Sequence, residues 1–304
     1  MNIRNYMYKV EKAKEEGNLF NKSVCYFLDL FGYSNCELQD LERRNKVYNY
    51  CKRKYFNHND IYKYPKIEDE SDEKVIWICW LQGIDNAPEI VKACLESVKK
   101  WAVGYKIVIL DDSNLLNYVK LQDHIIDKWK RGLITNTLFS DFIRLSVLSE
   151  FGGIWMDATV FLTGELPEFI ENSTFFLYAT NSYDKAKFGE SWLIKSRPHN
   201  RILMTTLDYL SLYWEKENKI RDYFLMFIFM KLATELYKDD IKDLFFVPNN
   251  IPHLMQLQLN NKFSESTYKY ICNVTSVHKL TYKNIMTESD TYTFYDYIIG
   301  KKRR

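Results

Sequence analysis

Glycine and proline are scarce, at 10 and 6 of 304 residues. That is about half the usual share or less, which excludes collagen-like and low-complexity chains and argues against a turn-dense all-β architecture. Cysteine is sparse and scattered: Cys25, Cys36, Cys51, Cys79, Cys94 and Cys272 never approach C-x-x-C spacing. Neither a zinc knuckle nor a dense disulfide framework is suggested, and a reducing cytoplasm is the expected compartment. Long hydrophobic runs are missing too. VIWICWL and YFLMFIFM fall far below the roughly 18–20 residues needed to span a bilayer. The opening MNIRNYMYKVEKAKEEGN carries charge throughout and has no apolar core of a secretory signal, so neither cleavage nor export is expected. Charge of one sign is also lacking, since acidic and basic residues nearly cancel at +2. Without a basic stripe, the abundant Tyr and Phe give no support to nucleic-acid binding.

What is present is a globular composition, 46% hydrophobic and 27% charged, long enough for one large domain or two modest ones. Residues 1 to about 70 are rich in Lys, Arg, Tyr and Asn. Apolar residues at helical spacing around Val24, Phe27, Leu28, Leu30 and Phe31 predict a helical N-terminal subdomain. Its basic, aromatic surface is more commonly a solvated helical face than a lipid-binding one. The acidic stretch IEDESDEK (67–74) marks a boundary near residue 70, leaving 71–304 as the second unit. There KVIWICWL and YKIVILDD read as strands and APEIVKACLESVKKWA as an amphipathic helix, an alternation that implies βαβ units and a mainly parallel sheet flanked by helices. Both strand runs are apolar continuously, as expected when both faces are covered. Ligands of such sheets collect at the carboxyl ends of strands, which directs attention to Trp80–Asp85 and Asp111–Asn114. Asp111 and Asp112 are better explained as capping residues. From about 200 onward the chain reads as helical, with a mixed tail ending in GKKRR that reads as a solvated end.

The stretch LFSDFIRLSVLSEFGGIWMDATVFL (138–162) concentrates the chemistry. On a helical wheel Ile134, Leu138, Phe142, Leu145 and Leu148 form an apolar arc, with Asp141 inside it and Arg144 at its edge. A carboxylate in that direction needs a partner, either Arg144 one turn away or polar groups of a ligand. Gly152-Gly153 supplies the helix stop. IWMDATVFL then reads as a strand interrupted by Asp157, with Thr159 on the same side. At a strand's carboxyl end, Asp157 meets either a bound ligand or only a surface turn.

The order S-D-x-x-R, a helix end, then G-G-I-W-x-D resembles the DXD-motif sugar transferase family, in particular its capsular polysaccharide synthesis branch. It is also similar to the glucosyltransferase domains of large glucosylating cytotoxins. The resemblance covers roughly residues 74 to 170, and the rest only through Asp222-Tyr223-Phe224 and His278-Lys279-Leu280. It implies a GT-A-type, Rossmann-like α/β fold that binds a nucleotide sugar and transfers the sugar with retention of anomeric configuration. Asp141 and Arg144 match the pair that holds donor sugar hydroxyls, Asp157 matches the first acid of the motif, and Trp80 looks like the aromatic that stacks on the base. The second acid is Thr159 here. The capsular branch resembles this D-A-T form, and a Mn or Mg ion held by Asp157, the donor diphosphate and water is still expected. His278 and Lys279 are expected to help neutralise the diphosphate.

No G-x-S-x-G, H-E-x-x-H or G-x-x-x-x-G-K occurs, so other nucleophilic, metallopeptidase or nucleotide-hydrolase chemistry finds no support. His58, His124, His199 and His253 lack metal-ligand spacing. The expectation is therefore a cytoplasmic retaining glycosyltransferase that uses a UDP-sugar to extend a lipid-linked saccharide of a capsular or cell-surface polysaccharide. Peripheral contact with the inner membrane face is a corollary. Two alternatives stand beside it: a toxin-like transferase that modifies a protein hydroxyl, and a non-catalytic sugar-nucleotide-binding or scaffold subunit.

Overall fold

The structure is a computed structural model that describes residues 36–56, 61–67, 74–180, 182–242, 244–285 and 291–302. The helical pattern at Val24–Phe31 and most of the acidic stretch at 67–74 lie outside the described residues. In chain order, helix α1 (Cys36–Tyr55) precedes strand β1 (Val75–Cys79), helix α2 (Glu89–Trp101) and strand β2 (Lys106–Leu110). Helices α3 (Asp123–Lys130) and α4 (Asn136–Phe151) then lead into β3 (Gly153–Met156) and β4 (Val160–Leu162). After α5 (Glu168–Glu171) come β5 (Phe175–Leu177) and β6 (Leu193–Ser196). The remainder is α6 (Arg201–Lys216), α7 (Leu225–Leu236), α8 (Glu265–Val274), β7 (Val277–Lys279) and α9 (Phe294–Ile298).

Five strands form one sheet in the order β2-β1-β3-β6-β5. β1 pairs parallel to both β2 and β3, while β6 pairs antiparallel to β3 and β5. Four of the five strands therefore run one way and β6 is reversed, which gives the mostly parallel, helix-flanked α/β sheet the sequence implies. Side chains alternate between two cores. Val75, Trp77, Val108 and Trp155 face a layer built from α4, α6, α7 and the end of α1. Ile76, Ile78, Ile154 and Met156 face α2 and the pair β4–β7. Covering on both faces is why β1 and β3 read as unbroken apolar text. Cys51 and Tyr55 of α1 sit in the first core, with the Tyr55 ring edge-on to Phe229 at 5.6 Å.

The expected single strand through IWMDATVFL is instead two strands in different sheets. Between them the chain turns at Asp157-Ala158-Thr159, with the Val160 N–H donating to the Asp157 carbonyl at 2.9 Å. The turn frees β4 to pair with β7, a strand that the mixed C-terminal text does not announce. The helix stop at Gly152-Gly153 is where expected. Both glycines have positive φ, +66° and +90°. A Cβ on Gly152 would lie 2.6 Å from Pro198 Cδ, and one on Gly153 would lie 2.5 Å from the Val75 carbonyl oxygen. The pair thus lets α4 end against β1, where the Trp77 indole N–H donates to the Gly152 carbonyl at 2.9 Å.

Candidate active site

Four chain segments meet at the carboxyl end of β3. Helix α4 begins at its Thr135 cap, whose hydroxyl accepts from the Leu138 N–H. It runs back over the sheet so that Asp141 and Arg144 overlie this edge. Reversed strand β6 pairs Met156 with Leu193, and this brings Glu190, Ser191 and Trp192 beside Asp157. The Asp157 N–H donates to the Trp192 carbonyl at 2.8 Å. The register of β4 and β7 sets Val160 opposite Lys279, which carries the Lys279 side chain to the same turn.

The result is a cavity of about 280 Å³ lined by Asp141, Arg144, Asp157, Glu190, Ser191 and Lys279, among others, and closed on one side by Tyr223, Phe224 and Phe227. Its size lies near the lower end of ligand pockets. Arg144 is the hub. It pairs with Asp141 at 3.0 Å and with Asp157 at 3.3 Å, donates to the Ser191 hydroxyl, and packs over the Trp155 ring. Its Nε–H is buried with no acceptor among the described residues. Asp157 Oδ1 also accepts from the Trp155 indole N–H at 3.0 Å, and Oδ2 accepts from Lys279 Nζ at 3.1 Å. The same ammonium donates to the Thr159 hydroxyl.

The two carboxyl groups differ electrostatically. Burial pushes Asp141 up to about 7, against the opposing pull of Arg144 and with some help from the Asp157 charge. Burial also acts on Asp157, but Lys279, Arg144 and the Trp155 indole outweigh it and hold that carboxyl below its ordinary value. Neighbouring acids driven apart in this way are a recurrent sign of a working site.

A family model described as capsular polysaccharide synthesis protein matches residues 31–298. This chain belongs to the capsular polysaccharide synthesis protein family. Membership supports a role in capsular polysaccharide synthesis. Among curated proteins none matches the sequence. Among solved structures, the PaToxG glycosyltransferase is similar at 14% identity, covering 68% of this chain and 82% of that one with a TM-score of 0.40. The apo-form glycosyltransferase GlyE of Streptococcus pneumoniae TIGR4 is similar at 9% identity, covering 76% of this chain and 63% of that one with a TM-score of 0.37.

Of the residues singled out in this family member's sequence, Asp141, Arg144, Asp157 and Lys279 share the cavity, and Thr159 touches it through Lys279. His278 does not join them, which corrects the expectation that it faces the diphosphate. It lies on the opposite face of β7 from Lys279, wholly buried, with Nε2 bonded to the Thr163 hydroxyl at 2.9 Å. Burial lowers it to about 4, so it is neutral and supplies no positive charge. Trp80 also stands outside the cavity lining, edge-on to Tyr282 at 5.5 Å. It follows Cys79 at the carboxyl end of β1, the strand beside β3 in the sheet. Asp111 accepts from the Ser113 and Asn114 N–H groups at 2.9 and 3.2 Å, a local turn. The helical turn that follows, Leu115–Asn117, has its cap at Asn114, so the capping role expected of Asp111 and Asp112 gives way to this turn.

The donor set does not fit the expected Mn or Mg ion. Both Asp157 oxygens already face cationic or indole N–H donors, and the Thr159 hydroxyl takes the Lys279 ammonium. Among the described residues no three His, Cys, Asp or Glu side chains converge on one point. A hard divalent cation needs free oxygen ligands, and here an ammonium stands against them.

Sequence reasoning missed Glu190, Ser191, Trp192 and Phe227, and reached Tyr223 and Phe224 only as a loose flank of the resemblance. Glu190 pairs with Lys187 at 3.2 Å, and the Lys187 ammonium lies 4.3 Å over the Phe224 ring. The loop carrying Tyr223 is tied down by buried Asp222. That carboxylate meets Arg43 at 3.2 Å and Arg44 at 3.8 Å from α1 and accepts the Phe224 N–H at 2.8 Å. The repeated basic text Arg43-Arg44 in α1 was the available signal, although nothing in its spacing names Asp222 as the partner.

Proposed function

We propose that this protein is a retaining glycosyltransferase that moves a sugar from a UDP-sugar to a lipid-linked saccharide during capsular polysaccharide synthesis. The observation that carries the proposal is the meeting of Asp141, Arg144, Asp157 and Lys279 in one cavity at the carboxyl end of β3. In this reading the sugar sits between Asp141 and Arg144, whose acceptor and fork of donors suit neighbouring hydroxyls. The diphosphate faces Lys279 and Arg144. The nucleoside leaves by the rim, where Trp80 and half-exposed Tyr282 offer aromatic surface to the uracil ring.

The acceptor hydroxyl oxygen forms a bond to the anomeric carbon as the bond from that carbon to the diphosphate oxygen breaks. The electron pair departs with the diphosphate, and the acceptor proton passes to the released phosphate oxygen on the same face, which accounts for retention. Lys279 and Arg144 stabilise the charge that grows on the leaving group. Binding the sugar in a fixed pose supplies the remaining advantage through orientation. The expected Mn or Mg is not carried into this mechanism, because the residues at Asp157 do not fit it.

A lipid-linked acceptor calls for access to a membrane surface. No helix among the described residues is long and apolar enough to cross a membrane, so the contact proposed is peripheral and uses the basic N-terminal region. Salt-sensitive sedimentation with anionic liposomes is the expected result, and no binding at low salt counts against it. The donor assignment is tested by a thermal-shift panel of nucleotide sugars followed by a UDP-release assay. A ligand that raises thermal stability and is hydrolysed by the wild type but not by Asp157→Ala supports the proposal. Inertness toward every donor favours the scaffold reading, and transfer to a protein hydroxyl favours the toxin-like one.

A further inference from the structure

We propose that the Lys279 ammonium stands in place of a divalent cation in this protein and binds the donor diphosphate directly, so that neither donor binding nor transfer needs a metal ion. The inference rests on the nucleotide-sugar reading above and concerns how the same cavity handles the diphosphate. Three observations converge on it. The D-A-T text puts a hydroxyl at Thr159 where the resembled motif has its second acid. Lys279 then spans the two motif positions, donating to Asp157 Oδ2 at 3.1 Å and to the Thr159 hydroxyl. Finally, the pairing of Val160 with Lys279 in the β4–β7 ladder fixes the backbone position from which that side chain reaches the Asp157–Thr159 turn.

Charge is conserved by the exchange. Two acids with a divalent ion sum to zero, and so do one carboxylate and one ammonium. An ammonium has three N–H donors. Two are spent on Asp157 and Thr159, and the third is left for an oxygen of an anion in the cavity that Lys279 lines. Arg144 supplies the second positive charge from the opposite side of Asp157. His278 next to it is uncharged and bonded elsewhere, so it does not compete for the phosphate. Lysine is a compact point charge well suited to phosphate oxygens. When the bond to the sugar breaks, the electron pair arrives on an oxygen already facing that charge.

Isothermal titration with inorganic pyrophosphate and with UDP, each in EDTA and in Mn²⁺, tests the proposal. The wild type is expected to bind pyrophosphate in EDTA, with Mn²⁺ changing the affinity by less than about twofold. Lys279→Met is expected to weaken binding in EDTA by roughly tenfold or more, the loss of one hydrogen bond to a charged group, and Lys279→Arg to restore part of it. The double variant Thr159→Asp/Lys279→Ala rebuilds an acid pair. It is expected to bind Mn²⁺, seen as quenching of the free-ion electron paramagnetic resonance signal, and to bind pyrophosphate only with Mn²⁺ present. Three results overturn the proposal: pyrophosphate binding by the wild type that is more than about tenfold weaker in EDTA, absence of pyrophosphate binding in both buffers, or unchanged binding by folded Lys279→Met. The comparison of buffers uses only the wild type, so it decides the matter even where a variant does not fold. If pyrophosphate binds as expected while no nucleotide sugar is turned over, the donor reading fails and the metal-free anion site stands.

Discussion

Replacing Asp141 by asparagine separates a structural strut from a group retained for its chemistry. Asp141 lies inside the apolar arc of α4, and its side chain is only 12% exposed. Burial raises it from 3.8 to about 7 despite Arg144 at 3.0 Å. Because the folded value is the higher one, the folded chain holds a proton that the unfolded chain releases between pH about 4 and about 7. The stability that this proton linkage contributes is complete below pH 4 and is lost as pH rises through 7. At ~1.4 kcal/mol for each pH unit, the loss approaches 4 kcal/mol. Asparagine keeps the shape without the ionisation, and Arg144 keeps Asp157 as its partner. Asp141→Asn is therefore expected to match the wild type in stability below pH 4, to pull ahead as pH rises through the window, and to exceed it by a few kcal/mol at pH 8.5, while its sugar-transfer rate falls. The assay is urea unfolding at closely spaced pH values for both proteins. A variant that is less stable than the wild type at high pH would show the Asp141–Arg144 pair to be a stabilising strut, and the reasoning would be refuted.

The opposite slope is expected from His278. Burial lowers it from 6.5 to about 4, so its contribution is present above pH 6.5 and is lost as pH falls through 4, by roughly 3 kcal/mol in all. His278→Gln removes that slope in acid unfolding without altering the affinity for pyrophosphate, and a loss of anion affinity would mean that His278 reaches the cavity after all. Gly153→Ala puts a methyl group against the Val75 carbonyl at positive φ and is expected to cost about 2–3 kcal/mol in urea unfolding; a neutral result would deny the close approach. Asp222→Ala takes a buried carboxylate from Arg43 and Arg44, which keep only Asp40 and Asp184, and loosens the loop bearing Tyr223 and Phe224, with an expected cost of about 2–3 kcal/mol. It should also raise KM for the donor more than it lowers kcat, and an unchanged KM would free that loop from the site.

Much of the sheet was legible because burial on two faces writes itself as unbroken apolar runs. The limits of β1 and β2 fall inside the predicted strands, and the Gly152-Gly153 stop stands where the text puts it. Asp141 was legible for the same reason, as a charge inside an apolar arc. The turn at Asp157 was not, since Val160–Leu162 has the apolar content of a continuing strand and only its pairing with β7 shows the break. β7 is three residues long, too short for its alternation to stand out, and with it went the distinction between His278 and Lys279. Adjacent residues on a strand point to opposite faces, so a sequence that names both as basic cannot say which one meets the ligand. Glu190 and Ser191 arrive through a reversed strand from far along the chain, a contact fixed by topology and not by local pattern.

The most direct measurement of the central claim is a crystal structure of the protein soaked with the UDP-sugar that gives the largest thermal shift. The account predicts density for the sugar between Asp141 and Arg144 and for the diphosphate against Lys279. A nucleotide seated instead in the separate cavity lined by Tyr64, Lys120, Ser149 and Asp208, with the Asp157 pocket untouched, would contradict it.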